Sequence, residues 1–421
     1  MSFSVEYNSD VLYMEKVAVK DIADSNGTPC YIYSHSAIEK NFNAYLNSLS
    51  ELTPLICFST KANSNLAVLK IYSNLGAGFD IVSGGELRRV ILAGGDTSKV
   101  VFSGVGKTDS EIQEAINADI LFFNIESIDE LHAINRVATG MNKKAPIAIR
   151  VNPDINPKTH PYISTGFKKS KFGIEIGNSL DVYREASKME GINIIAIDAH
   201  IGSQIFELSS FNDSLQKLTD LADTLINENI NIEYMDIGGG LGITYKKDET
   251  PPSMDEYAAI IKKHLKGKPY KPVIEPGRSL IGNAGIMVTK VLYTKQGSAK
   301  NFVIIDAAMN DLIRPAFYNS HHEIIPVKQN ENETKIVDIV GPICESGDFL
   351  ATDREFPAVE NGDYLAVLSA GAYGFVMSSN YNSRTRAAEV LVHGDSFSTI
   401  KEREKFEDII NGEIIPDFLS E

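Results

Sequence analysis

Between residues 55 and 277 the sequence alternates short apolar runs with amphipathic segments, and it does so eight times. The apolar runs begin as LICFSTK (55–61), GFDIVS (78–83), KVVFSG (99–104), ILFFNIE (120–126), PIAIRVN (146–152), IIAIDAHIG (194–202), EYMDIGGG (233–240) and PVIEPG (272–277). Between them lie helical patterns such as NLAVLKIYSNL, SIDELHAINRVA and FNDSLQKLTDLADTLI. Eight strand–helix units within about 220 residues favour a closed (β/α)8 barrel over an open doubly wound sheet. A leading strand at Tyr31–Ser34 and a helix near 36–50 come first.

Beyond residue 280 the rhythm changes. Segments such as GIMVTKVLYTKQ, NFVIIDA, TKIVDIVG and AAEVLVHG read as strands separated by turns rather than long helices. The predicted fold class is therefore α/β, a (β/α)8 TIM-type barrel with a second all-β domain. The barrel spans 30–278, and residues 1–29 join 279–421 in a β-sandwich or β-barrel-like domain. A chain of 421 residues has room for both.

Composition narrows the partners. A formal net charge of −16 opposes nucleic acid and anionic membranes, because the general field repels phosphates. Cys30, Cys57 and Cys344 form neither a disulfide framework nor a zinc site, which fits a reducing compartment. The N-terminus lacks a basic-then-apolar signal pattern, and no apolar run approaches the roughly 18 residues that span a bilayer. The expectation is a cytoplasmic protein.

Most of the barrel strands end in polar or glycine-rich chemistry: Lys61, Asp80 and Ser83, Arg150, His200, Gly238 to Gly240, Glu275. That is the end at which barrels place their active sites. A partly desolvated lysine forms imines readily, although an exposed lysine is the commoner case. Consecutive glycines at 238–240 let backbone amides approach a phosphate, or simply make a tight turn. The run matches neither a dinucleotide fingerprint nor a P-loop. His200 can stack on a planar ring, and Ser203 can bond a phosphate oxygen. Glu275 can keep a pyridine nitrogen protonated, and Arg278 offers a planar fork to a carboxylate, unless the two form a local ion pair. In the β domain Cys344 can donate a proton and Glu345 can bind an ammonium, the plain alternative being a buried, inert thiol. Arg314, Tyr318 and Tyr373 add anion-binding and hydroxyl groups. His321, His322 and Glu323 look like metal ligands, but adjacent histidines on an extended chain diverge, so no metal is assigned.

Together these residues make the sequence resemble the diaminopimelate decarboxylases, within the barrel-fold pyridoxal-phosphate decarboxylases of the alanine-racemase-like fold type III. The likeness runs from about Thr28 to Arg384 through STKAN, FDIVSGGEL, SGVGK, NPDINPKTHPYISTGFKKSKFG, HIGSQ, GGGLG, EPGR, RPAFY, CESGD, GAYG and NYNSR. The resemblance implies pyridoxal 5'-phosphate held as a Schiff base on Lys61. Asp80, Ser203, Gly238, Gly239, Gly240, Glu275, Pro276, Gly277, Arg278 and Tyr373 would surround the cofactor, with His200 stacked on its ring. Arg278, Arg314, Tyr318, Glu345 and Tyr373 would bind the amino-acid substrate, and Cys344 or Lys61 would deliver the final proton. The implied reaction turns meso-2,6-diaminopimelate into L-lysine and carbon dioxide, the last step of lysine biosynthesis. It also implies a homodimer whose sites are shared through CESGD and GAYG. Two arginines and a tyrosine at the far end of the substrate favour one with a second carboxylate.

Ser59-Thr60 before the lysine and Thr385 after NYNSR depart from the usual pattern. The alternatives are a decarboxylase for carboxynorspermidine or another basic amino acid, a non-catalytic cofactor-binding homologue, and aldolase-type chemistry on the lysine.

Overall fold

The computed structural model describes residues 3–156, 170–329 and 333–419. The chain divides into two compact units, one of residues 37–244 and 248–283, the other of 3–36, 245–247 and 284–419.

The first unit is a closed barrel. Its strands are β1 (Leu55–Ser59), β2 (Gly78–Ile81), β3 (Val100–Phe102), β4 (Phe122–Ile125), β5 (Ala145–Asn152), β6 (Ile192–Asp198), β7 (Tyr234–Asp236) and β8 (Lys271–Ile274). Each pairs in parallel with the next, and β8 pairs with β1 to close the ring. A helix follows every strand, from Leu66–Asn74 after β1 to the short Arg278–Ile281 after β8. Several of these helices are started by their own side chains. Ser83 and Ser127 accept the amides of Glu86 and Glu130, and Thr108 and Ser253 form capping boxes with Glu111 and Glu256. Each such cap contributes about 1 kcal/mol and fixes where strand gives way to helix.

Inside the barrel the side chains lie in layers. Leu55, Cys57, Val101, Phe122, Ala148, Ala196 and Val273 form one buried apolar cluster. Two residues further along the same strands stand Ser59, Ser103, Asn124, Arg150, Asp198 and Glu275, all buried. The period of two puts each pair on one face, so an apolar floor carries a polar layer at the carboxyl ends of the strands. Outside the ring, Phe58 stacks on Tyr72 of the first helix with centroids 4.0 Å apart. Losing such an aromatic to alanine costs about 3–5 kcal/mol.

The second unit contains a three-stranded sheet (Val5–Asn8, Val11–Met14, Val17–Ala18) and a larger one around the long strand Gly285–Gln296. Here the structure departs from the expected boundaries. The strand Cys30–Ser34, expected as a leader to the barrel, pairs antiparallel with Gly285–Gln296 and parallel with Ala388–His393. A ring already closed by eight strands offers it no free edge. At the other border, residues 279–283 belong to the barrel unit, because Arg278–Ile281 is the helix after β8. Among the described residues no helix is long and apolar enough to cross a membrane. Residues 157–169 of the NPDINPKTHPYISTGFKKSKFG motif lie outside the described residues.

Candidate active site

The turn after β1 carries Lys61, whose Nζ lies 2.6 Å from Oδ2 of the fully buried Asp80 on β2. Ser59 fixes this corner. Its Oγ is 2.9 Å from both Asp80 Oδ2 and the Glu275 carbonyl, and its amide donates to the Pro276 carbonyl. The first and last strand ends are thus tied through one serine. Gly277 is required in the same corner, since a Cβ there would meet Ser59 Cβ at 2.9 Å and Ala62 Cβ at 3.0 Å.

His200, after β6, accepts the Gly239 amide on Nδ1 at 3.1 Å, so any ring proton sits on Nε2. Burial, then the positive charges of Arg150 and Lys61, hold the ring well below the usual histidine range. A neutral imidazole is the form that can lie flat beside a cationic ring without repulsion.

The glycine run packs against its surroundings more tightly than a phosphate loop alone requires. A Cβ on Gly239 would come within 2.2 Å of the Glu275 carbonyl oxygen, and one on Gly240 within 2.4 Å of the Gly202 oxygen. Gly238 and Gly240 also have φ of +65° and +113°. Two of the three amides already have protein acceptors: Gly238 donates to Asp236 Oδ1 at 2.9 Å, and Gly239 to His200. Arg278, buried beside the run, donates to Ser203 Oγ from Nε and Nη2 at 3.3 and 3.1 Å.

Glu275 closes the ring. Burial, then the negative charges of Asp236, Asp80 and Asp198, push its carboxyl well above the ordinary range, partly offset by Lys61. Asp198, Asp236 and Glu275 each bring an oxygen within 4.8 Å of the others. Asn124 Nδ2 donates to Ser103 Oγ at 3.0 Å and reaches Glu275 Oε1 at 3.4 Å. Arg150 pairs with Glu126 at 2.7 Å and approaches Asp198 at 3.9 Å. Glu126 in turn accepts the amides of Gly104 and Gly173. The lysine of SGVGK, Lys107, is buried and tied to Glu130 and the carbonyls of Gly104 and Asn124, a structural clamp.

Sequence reading missed Ser59, Asn124, Glu126, Asp198 and Asp236. The available signal was a polar residue two places after an apolar one in a strand, as in Phe122/Asn124 and Ala196/Asp198.

In the second unit Arg314 is buried, and its guanidinium lies 5.0 Å from the Tyr245 ring and 6.0 Å from that of Tyr318. Its Nε donates to His322 Nε2 at 3.2 Å, while His322 Nδ1 stands 2.8 Å from the Leu368 carbonyl. Since a carbonyl only accepts, the ring proton is on Nδ1 and Nε2 is free to receive Arg314. His321 turns away to Glu323 and Arg354. Cys344 is exposed, which sets aside a buried, inert thiol. Its amide donates to Asn382 Oδ1, and the adjacent Glu345 accepts Tyr381 Oη at 2.9 Å. The buried Asp348 shapes this turn by taking the amides of Ile343 and Met309. Tyr373 of GAYG sits at φ +56°, a left-handed backbone that orients the loop.

The family model for the pyridoxal binding domain of pyridoxal-dependent decarboxylases matches residues 35–282. The diaminopimelate decarboxylase of Aquifex aeolicus is 49% identical over 406 residues, 96% of each chain. That of Pseudomonas aeruginosa is 49% identical over 97% of this chain and 98% of its own. Among solved structures, diaminopimelate decarboxylase from M. jannaschii in complex with L-lysine superposes with a TM-score of 0.94 at 39% identity, covering 99% of both chains. The Helicobacter pylori enzyme complexed with L-lysine gives 0.90 at 39% identity, over 93% of this chain and 98% of its own. With the strand-end lysine, the buried acid opposite it and a likeness that spans both units, the chain belongs to the diaminopimelate decarboxylases, a branch of the pyridoxal-dependent decarboxylases.

Proposed function

We infer that this chain catalyses the pyridoxal-phosphate-dependent decarboxylation of meso-2,6-diaminopimelate to L-lysine and carbon dioxide. The observation that carries this reading is the ring from Lys61 to Glu275. It joins an amine held by Asp80 to a buried acid whose negative neighbours favour an added N–H cation. The residues present fit the cofactor on that ground, and when bound it supplies the sink for the electron pair released as carbon dioxide leaves.

The remaining roles belong to the chain. Lys61 anchors the cofactor, and Asp80 aims its amine. Neutral His200 would lie against the bound cofactor's ring, and Glu275 would keep its ring nitrogen protonated. Ser203, Gly238, Gly239, Gly240, Pro276, Gly277, Arg278 and Tyr373 complete the cofactor site. Arg278, Arg314 and Tyr318 take the distal carboxylate of the substrate, Glu345 its ammonium, and Tyr373 assists. The α carbon that loses its carboxylate keeps the bonding pair and accepts a proton from Cys344 or Lys61, which balances the step.

We propose that the chain forms a homodimer with shared sites. Cys344 and Glu345 are exposed on the single chain, and Tyr381, bonded to Glu345, is 46% exposed. Reactive groups and an aromatic turned outward suit delivery into a neighbouring copy. Free thiols and the acidic charge fit the cytoplasm.

The test is an absorption spectrum of the purified, cofactor-loaded protein, followed by lysine release from meso-diaminopimelate. A visible imine band and stoichiometric lysine are expected, both lost in Lys61→Ala. Faster turnover of carboxynorspermidine, or an active Lys61→Ala protein, would overturn the assignment.

A further inference from the structure

The polar layer of the barrel holds more acid than base. Asp80, Glu126, Asp198, Asp236 and Glu275 are all buried, and Lys61 and Arg150 are cations paired within this layer. Lys61 is bonded to Asp80 and Arg150 to Glu126, with Asp198 at the edge of Arg150's reach, and the charge of each cation is also felt at Glu275. Asp236 and Glu275 bring carboxylate oxygens within 4.8 Å of each other and interact directly. Gly238 supplies one donor to Asp236 Oδ1, and Asn124 Nδ2 reaches Glu275 Oε1. Among the described residues no donor reaches Asp236 Oδ2 or Asp198 Oδ1. Among the described residues, the groups that bear on Asp236 include Asp198 on β6, Glu275 after β8, Asp80 on β2, Asn124 on β4, Cys57 on β1 and Tyr257 on the helix Met254–Leu265. None of these is a cation. Two buried carboxylates in contact cannot both ionise, so a proton must sit between them.

We propose that Asp236 is a positioning residue that stays protonated in the working enzyme and donates its O–H to Glu275, fixing Glu275 as the anion that faces the cofactor nitrogen. The proposal rests on the role of Glu275 given above. In the chain alone burial raises both carboxyls; the negative charges of Asp236, Asp80 and Asp198 push Glu275 up further, whereas the Gly238 amide and the bond to Glu275 pull Asp236 back down. A protonated ring nitrogen beside Glu275 draws the negative charge to that residue and leaves the proton on Asp236. Asp236 also accepts the Gly238 amide on Oδ1, so one side chain couples Glu275 to the glycine run.

The proposal predicts opposite outcomes for two substitutions of similar size. In Asp236→Asn the amide donates where the acid did, whereas Asp236→Leu cannot donate. The visible band of the cofactor-loaded protein is titrated against pH, cofactor affinity is measured, and the carboxylic acid C=O stretch is followed by infrared difference spectroscopy. Asp236→Asn is expected to keep the spectral midpoint while abolishing the acid C=O band. Asp236→Leu is expected to shift the midpoint by about one unit and weaken cofactor binding by about tenfold, the size of one charge-assisted hydrogen bond. Persistence of the acid band in Asp236→Asn, or a midpoint shift there as large as in the leucine variant, overturns the proposal. If Asp236→Leu does not fold, the infrared comparison of wild type with Asp236→Asn decides alone. Glu275→Gln is the separate control: an unchanged spectrum there would remove the role of Glu275 itself.

Discussion

A buried arginine keeps its geometry only if its donors are matched, and Arg314 is matched by a histidine in a defined tautomer. His322 presents Nε2 to Arg314 because its Nδ1–H is held by Leu368. His322→Phe keeps the ring volume but removes the acceptor, leaving a buried charged donor unsatisfied. The expected result is a rise in KM for diaminopimelate of about tenfold with a smaller change in kcat, since one hydrogen bond to a charged group contributes about 1.5–3 kcal/mol. Steady-state kinetics check it, and a kcat loss with unchanged KM would count against Arg314 as the carboxylate fork. At this scale the sequence was only partly legible. Lys61, His200 and Glu275 stand out because they end strands. Asp236 and Asn124 sit among apolar neighbours, and a strand's polar residue does not announce that its partners come from strands across the barrel. His322 looks like a metal ligand in the sequence because it stands between His321 and Glu323, while its partner, Arg314, lies eight residues away around a turn.

The elements that place the site are the turns after each strand, and the glycine run after β7 is the least tolerant of them. In Gly239→Ala the new methyl would press on a backbone oxygen, which no rotamer change relieves. Gly106, in the turn after β3, has nothing within 4 Å of a built Cβ. Gly239→Ala is expected to destabilise the protein by about 3 kcal/mol and to weaken cofactor binding, and Gly106→Ala to change stability by less than about 1 kcal/mol. Thermal melts with and without cofactor compare the two, and equal melting temperatures would show that the run has room to relax. The strand–helix rhythm was readable because alternation and capping are local. Ser83, Thr108, Ser127 and Ser253 each announce a helix three residues ahead of its acidic partner. The placement of Cys30–Ser34 was not readable, because an apolar strand looks the same whichever sheet takes it, and its partners lie more than 250 residues away.

At the scale of the whole molecule, buried acids also set how stability responds to pH. Asp311 in the second unit is raised by burial to about 7, against roughly 3.9 unfolded. Between those values the unfolded chain has lost this proton and the folded chain has kept it. The folded state therefore binds more protons, and the group's contribution to stability falls as pH rises from about 4 to about 7. Asp311→Asn removes that dependence while leaving an oxygen for the Ala308 amide. Its denaturant midpoints are expected to decline less over this range than those of wild type. Parallel pH curves for the two proteins would place the titration elsewhere.

Assembly is the largest scale on which the site can be tested, and complementation tests it directly. If each site takes Lys61 from one protomer and Cys344 from its partner, Lys61→Ala and Cys344→Ala homodimers are both impaired at every site. Mixed after dissociation and reassociation, half of the dimers are heterodimers, and each of these rebuilds one of its two sites with both residues intact. Activity should return to about one quarter of wild type, the fraction set by random pairing in a two-fold dimer. If Lys61 and Cys344 instead served the same site from one chain, every site in the mixture would lack one of them, and mixing would restore nothing. The exposed thiol of Cys344 and the half-exposed Tyr381 beside Glu345 favour the first outcome, because groups with chemistry to perform face outward on the single chain.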